Sequence, residues 1–201
     1  MVTYEDEFIV LNKKFYVGRA LDNRIGGFMI AEVARLLKEN NIDLPFGLYI
    51  TNSVQEEVGL RGAQMIADTI KPDIAIVTDV CHDTGTPMID KIKQGDTKCG
   101  SGPVLTYGPA VQNNLLELII TAADDNDIPF QRAAASRATG TDTDAFAYAS
   151  GGVASSLISL ALRYMHTTVE SVAKEDVENV IRLIYVSLQR IKNNHDFRYL
   201  K

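Results

Sequence analysis

Apolar, β-rich runs alternate with helical runs along this chain, and that alternation constrains its fold more than any other feature. "FGLYITNSV" (46–54), "PDIAIVTDV" (72–80) and "VASSLISLALRYMH" (153–166) carry few charges and many β-branched or aromatic residues, which predicts buried strands. "EFIVLNKKFYVGRAL" (7–21) predicts further strands, and "PFQRAAAS" (129–136) is strand-like. The period changes in between. Ile25, Phe28, Met29, Val33, Leu36 and Leu37 fall on one helical face, which "KENNID" ends. "RGAQMIADTI" (61–70) predicts a short helix, 108–128 a longer one, and 175–193 an amphipathic terminal helix on Val177, Val180, Ile184 and Leu188. "TGTDTDAFAYASGG" (139–152) predicts a polar loop entering a short helix. Apolar strands alternating with helices imply α/β architecture: a three-layer α/β/α arrangement around a central mixed, largely parallel sheet covered on both faces.

In such folds ligands sit beyond the carboxyl ends of strands. Asp22, Glu56, Glu57, Asp79 and His166 all stand where a predicted strand runs out, so separate segments bring them to one rim. Each has a plain alternative: Asp22 as a helix N-cap, Asp79 closing a turn, Glu56 and Glu57 as a solvated pair, His166 as a hydrogen-bonded core histidine. Together they are hard carboxylates plus one imidazole, the donor set of zinc, cobalt or manganese. Adjacent carboxylates then divide the work: one holds an ion, and the other takes a proton from a nucleophilic water. Gly59 and Gly62 fit a tight strand-to-helix turn beneath such a site. Asp142 and Asp144 either line the substrate side or cap a helix. His82 and His195 are read as non-ligands.

Composition excludes more than it selects. A net charge of −6 over 201 residues gives no basic footprint for nucleic acid. No run of eighteen or more apolar residues suggests a membrane span. Two cysteines, Cys81 and Cys99, make no disulfide framework and point to a reducing cytoplasm.

"ALDNRIGG", "VQEEVGLRGA", "DIAIVTDV", "GTDTDAF" and "LRYMHTTVE" occur in this order. The ordered set resembles the cellulase-M/glutamyl-aminopeptidase family of co-catalytic metallopeptidases, which includes the tetrahedral TET aminopeptidases. The resemblance runs from about residue 8 to the end. It implies soluble enzymes that remove N-terminal residues from peptides with two divalent metals. It implies that Asp22 bridges the two ions, through a cis peptide bond to Asn23. Glu56 would be general base and acid, Glu57 and His166 would hold one ion, and Asp79 the other. The family's further metal histidine, in an H-x-D motif before the bridging aspartate, has no counterpart here, because the histidines are His82, His166 and His195. A proline is expected where Ala161 stands. The chain resembles the C-terminal two-thirds of a family member. Residues 1–201 then form a single, truncated catalytic domain with its sheet incomplete on the N-terminal side, and residues 1–20 re-enter it from an absent inserted domain. These features imply a homo-oligomer acting on peptide substrates, with at most one tightly bound ion per chain. The alternatives are a non-catalytic metal-binding or assembly fragment, or a related di-metal deacylase.

Overall fold

The computed structural model describes residues 7–197, so the first six residues of the expected re-entry segment lie outside the described residues. The elements in chain order are β1 (Ile9–Leu11), β2 (Phe15–Gly18), α1 (Leu21–Glu39), α2 (Arg61–Ile70), β3 (Ile74–His82), α3 (Lys91–Gln94), β4 (Val104–Tyr107), α4 (Asn113–Asp124), β5 (Gln131–Ala134), α5 (Asp142–Ala147), β6 (Ala154–Arg163), β7 (Glu170–Ala173) and α6 (Lys174–Leu188). Helices α1, α4 and α6 pack on one face of the sheet, and α2 and α5 on the other. The three-layer expectation therefore holds.

β6 organises the sheet. Along one side it pairs with β3 in parallel, from Ile74↔Ala154 to His82↔Leu162. Along the other it meets two antiparallel partners in turn, β4 at Ile158 and Ser159 and β7 at Leu162 and Arg163. β5 extends β4 in parallel, and β2 and β1 extend β7 antiparallel. The sheet is parallel where it carries the long β3–β6 ladder and antiparallel on the β7–β2–β1 flank. Residues 155–162 of β6 are buried throughout, as expected of a strand covered on both faces. Ala161 is fully buried in that run.

The main core lies between the sheet and α1, α4 and α6. On α1 the buried stripe is Leu21, Ile25, Met29, Val33 and Leu37, spaced by about one helical turn. The Asn40 side chain donates back to the Leu36 carbonyl (2.8 Å) where this helix ends. A smaller cluster beneath α2 and α5 is built mostly from alanines, among them Ala63, Ala67 and Ala145, so those helices lie close to the sheet.

One strand expectation fails. Residues 46–54 form no ladder and are not buried: Tyr49 and Val54 each expose 68% of their surface. The residue types suit a strand, but a strand exists only against a neighbour. Among the described residues β3 pairs with β6 alone, and a cleft of about 720 Å³ separates β3 from this segment. β4 and β7, four residues each, were not foreseen.

Candidate metal centre

Asp22 does not cap α1. It sits inside the first turn with non-helical backbone (φ −79, ψ 107), followed by Asn23 (φ −116, ψ 47), and the bond between them is cis. Three hydrogen bonds hold this irregular start. The Asp22 amide donates to Glu170 Oε2 on β7 (3.0 Å). Asn23 Nδ2 donates to the Thr78 carbonyl on β3 (2.8 Å), while its Oδ1 accepts from the Gly26 amide (2.9 Å). A Cβ on Gly26 would lie 2.4 Å from Asn23 Oδ1, so any larger residue there would push the Asn23 side chain out of its hydrogen bonds.

His166 follows the end of β6, in a turn where it and Tyr164 take left-handed backbone (φ 61 and 57). Its amide donates to Glu170 Oε1 (2.7 Å). One carboxylate that is only 2% exposed thus accepts from the backbone of both Asp22 and His166. Nothing local in "HTTVE" announces that role. It requires knowing that β7 returns beside the start of α1.

Glu56 and Glu57 arrive on the turn between residues 46–54 and α2. Gly59 has φ +115. The Gly62 amide donates to the Val54 carbonyl (3.0 Å), and a Cβ there would lie 2.3 Å from that oxygen. Both glycines serve the tight turn expected of them. The Ser53 hydroxyl donates to Asp142 Oδ2, and Asp142 Oδ1 is buried without a partner among the described residues. Neither Asp142 nor Asp144 caps α5. That position belongs to Thr141, whose side chain accepts from the Thr143 amide, while Asp144 accepts from the Thr139 and Gly140 amides.

These segments bring three donors together. His166 Nε2 lies 3.0 Å from Asp22 Oδ2 and 3.6 Å from Glu57 Oε1. One ligand atom from each residue falls within 4.8 Å of the others. Two carboxylates and an imidazole at such spacing fit a zinc-type divalent ion. Asp79, expected where the strand runs out, instead lies within β3, three residues before its end at His82; it is not in this group, and its Oδ1 accepts from the Val80 amide (2.8 Å). It nevertheless lines the same cleft as Glu56, Glu57 and Asp142. His195 also lines this cleft but is not among the grouped donors, and its ring packs against Phe197.

Burial, reinforced by the charges of Glu57, Asp142 and Asp22, pushes the Glu56 carboxyl up to about 7. Burial also pushes Asp79 up to about 7, opposed by the Val80 amide and aided by Glu56 and Asp22. Asp22 is raised by burial and then by Glu57, against the pull of His166. Carboxyls that crowd this closely resist ionising together, and a cation among them relieves the repulsion.

Comparison with known proteins identifies the family. Residues 1–183 match the family model described as M42 glutamyl aminopeptidase. A lysyl aminopeptidase of Pyrococcus furiosus is 34% identical over 189 residues, covering 94% of this chain and 53% of that protein. A TET aminopeptidase from a marine-sediment Thaumarchaeota archaeon superposes with a TM-score of 0.84 at 33% identity, over 92% of this chain and 52% of that one. A TET1 peptidase of Pyrococcus horikoshii, which assembles into a tetrahedron or a large octahedral shell, gives 0.74 at 27% identity, over 92% and 53%. The chain thus spans about half the length of the relatives it matches, less than the two-thirds implied by resemblance alone. With the family model matching residues 1–183, the chain belongs to the M42 glutamyl aminopeptidase family.

Proposed function

We propose that this chain carries the metal-holding and proton-transferring part of an aminopeptidase that hydrolyses N-terminal residues from peptides. The observation that carries the reading is Glu56, a carboxyl raised to about 7 beside the converging donors of Asp22, Glu57 and His166. Those three would hold one divalent ion, zinc, cobalt or manganese. Asp22 and Asp79 would hold a second. Such ions, when bound, polarise a carbonyl and make water a better nucleophile at neutral pH. Glu56 takes the proton of the attacking water on its carboxylate and delivers it to the departing amine. A carboxyl near 7 can do both at neutral pH. Glu170 and Asn23 act on the backbone around Asp22 and aim its carboxylate.

At most one ion per chain is held tightly. Among the described residues Asp79 stays outside the converging donors, and no second histidine joins them. The reading includes a homo-oligomer in the cytoplasm. The Pyrococcus horikoshii relative forms closed shells. Here Cys81 and Cys99 are free thiols, and no helix among the described residues is long and apolar enough to cross a membrane.

A second reading, a metal-holding assembly module without turnover, is favoured by the position of Asp79 outside the group. The two separate on aminoacyl-p-nitroanilides with cobalt or zinc added. The catalytic reading expects slow, metal-dependent release that falls about 100-fold or more in Glu56→Gln, with metal binding by calorimetry kept at one ion per chain. Equal rates for the two proteins, or no turnover in either, give the site to the second reading. Two equally tight ions per chain would overturn the occupancy.

A further inference from the structure

We infer that Asp142 is a positioning residue for Glu56 and Glu57, acting through its hydrogen bond to Ser53. Its effect on metal binding rests on the metal-holding reading above; the tie itself does not. Residues 47–54 form no ladder, and Ser53 is the one residue among them that is not exposed. Its hydroxyl donates to Asp142 Oδ2, 89 positions away. Among the described residues this is the one hydrogen bond that joins residues 47–53 to another segment.

On the Ser53 side, the chain that follows closes on itself. The Gly62 amide donates to the Val54 carbonyl (3.0 Å) and the Arg61 amide to the Gln55 carbonyl (3.4 Å). The Gly59 and Leu60 amides both donate to the Glu56 carbonyl (3.1 and 3.0 Å). Glu56 and Glu57 therefore ride on a compact turn, and Ser53 stands one residue before it. Where Ser53 is held, the turn is held.

On the Asp142 side, the anchor is rigid. α5 packs against α2, β3 and β6. Its start is laced by hydroxyls: Thr139 to Thr141 and Thr141 to Thr143, each 2.9 Å apart. Asp144 accepts from the Thr139 and Gly140 amides (3.1 and 2.9 Å). Thr143 is fully buried. The Ser53–Asp142 bond thus passes the position of a sheet-bound helix to a segment without a ladder of its own.

The local cost of Asp142 points the same way. Its Oδ1 is buried without a partner among the described residues, which is unfavourable for a carboxyl oxygen. It contributes no cap to α5, because Thr141 does that. Its benefit lies at Ser53 and in what Ser53 carries. Glu170 steadies Asp22 and His166 by accepting their amides. Asp142 does the corresponding work for Glu57, one hydrogen bond further off.

The test uses the whole chain, with two readouts. The first is hydrogen exchange without metal. Ser53→Ala and Asp142→Ala should each speed exchange about tenfold at the Gly59, Leu60 and Gly62 amides, and leave β6 unchanged. The second is zinc calorimetry. Each variant should bind zinc about tenfold more weakly, and the double variant no more weakly than either single one, because both remove the same bond. The visible band of bound cobalt should change in the same variants. Ser53→Thr and Asp142→Asn, which keep a hydroxyl and an acceptor oxygen, should restore the exchange rates and the zinc affinity to within about threefold. Ser53 lies in a segment without a ladder, so Ser53→Ala decides the matter even if Asp142→Ala fails to fold. Unchanged exchange at the turn overturns the tie. Faster exchange with full zinc affinity, or losses that add in the double variant, overturns the placement of Glu57. If the unaltered chain binds no zinc while Ser53→Ala speeds exchange at the turn, the metal-holding reading fails and the tie stands.

Discussion

The two flanks of β6 were built from similar residue types and ended in different states. On one flank β4 and β7 pair with the strand and are buried except for the half-buried Tyr107, and Glu170 ties the backbones of Asp22 and His166 to β7. On the other, β3 has a free edge, and residues 46–54 lie across a cleft with Tyr49 and Val54 largely exposed. The candidate metal centre straddles both. Asp22 and His166 belong to the finished flank, and Glu57 hangs from the unfinished one. What the difference teaches is that ligand placement here depends on whether the backbone behind each ligand has its hydrogen bonds satisfied, more than on the ligand's own identity.

The largest effect should come from breaking the finished flank. Glu170→Ala leaves two part-buried amides without that acceptor and should cost about 2 kcal/mol of stability, read from the urea midpoint, and about 10–100-fold in metal affinity. Tyr49→Ala, on the unfinished flank, should cost less than about 0.5 kcal/mol. Equal losses would erase the contrast.

Next is Gly62→Ala. Its new methyl group meets backbone at Val54, which cannot rotate away, so about 1–3 kcal/mol is expected. Glu57 rides on that turn, so zinc affinity should fall as well. A variant that loses stability and keeps its zinc affinity would show that Glu57 is placed by something other than the turn.

The smallest effect is one of pH. Asp79 and Glu56 are raised to about 7 by burial and by neighbouring carboxylates, above the ordinary carboxylate range near 4. The metal-free native state therefore binds more protons than the unfolded chain between those values. Stability should be fullest below pH 4 as far as these groups go, and should fall as pH rises through 7. Urea midpoints in chelator at pH 5 and pH 8 measure the slope. Asp79→Asn should flatten it, and excess zinc, which favours the ionised carboxylates, should oppose it.

The sequence disclosed some of this and concealed the rest for physical reasons. Helices announced themselves: "RGAQMIADTI" matches α2 residue for residue, and the stripe from Ile25 to Leu37 faces the core. β3 was equally plain from its apolar run. Residues 46–54 were misjudged because strand character is a promise about a neighbour, and one segment's residues cannot report whether the neighbour is there. β7 was overlooked because four residues leading straight into a helix leave too little period to recognise. Asp22, Glu57 and His166 were placed together by the resemblance of their motifs. Glu170 and Asn23, which steady Asp22, had no local signature, because their roles arise only when segments 148 and 55 positions apart meet.

The β3–β6 ladder has a consequence for how the chain is made. Ile74 pairs with Ala154, roughly 80 residues later in synthesis. At translation rates of roughly 5–20 residues per second, β3 waits several seconds on the ribosome before its partner is even polymerised. Throughout that wait an apolar strand stands without a ladder on either side. Such long-range parallel pairing also closes slowly once both strands exist. Nascent chains halted just before residue 154 should therefore be strong clients for chaperones that hold unpaired apolar segments, and chains released beyond β7 should be weak ones.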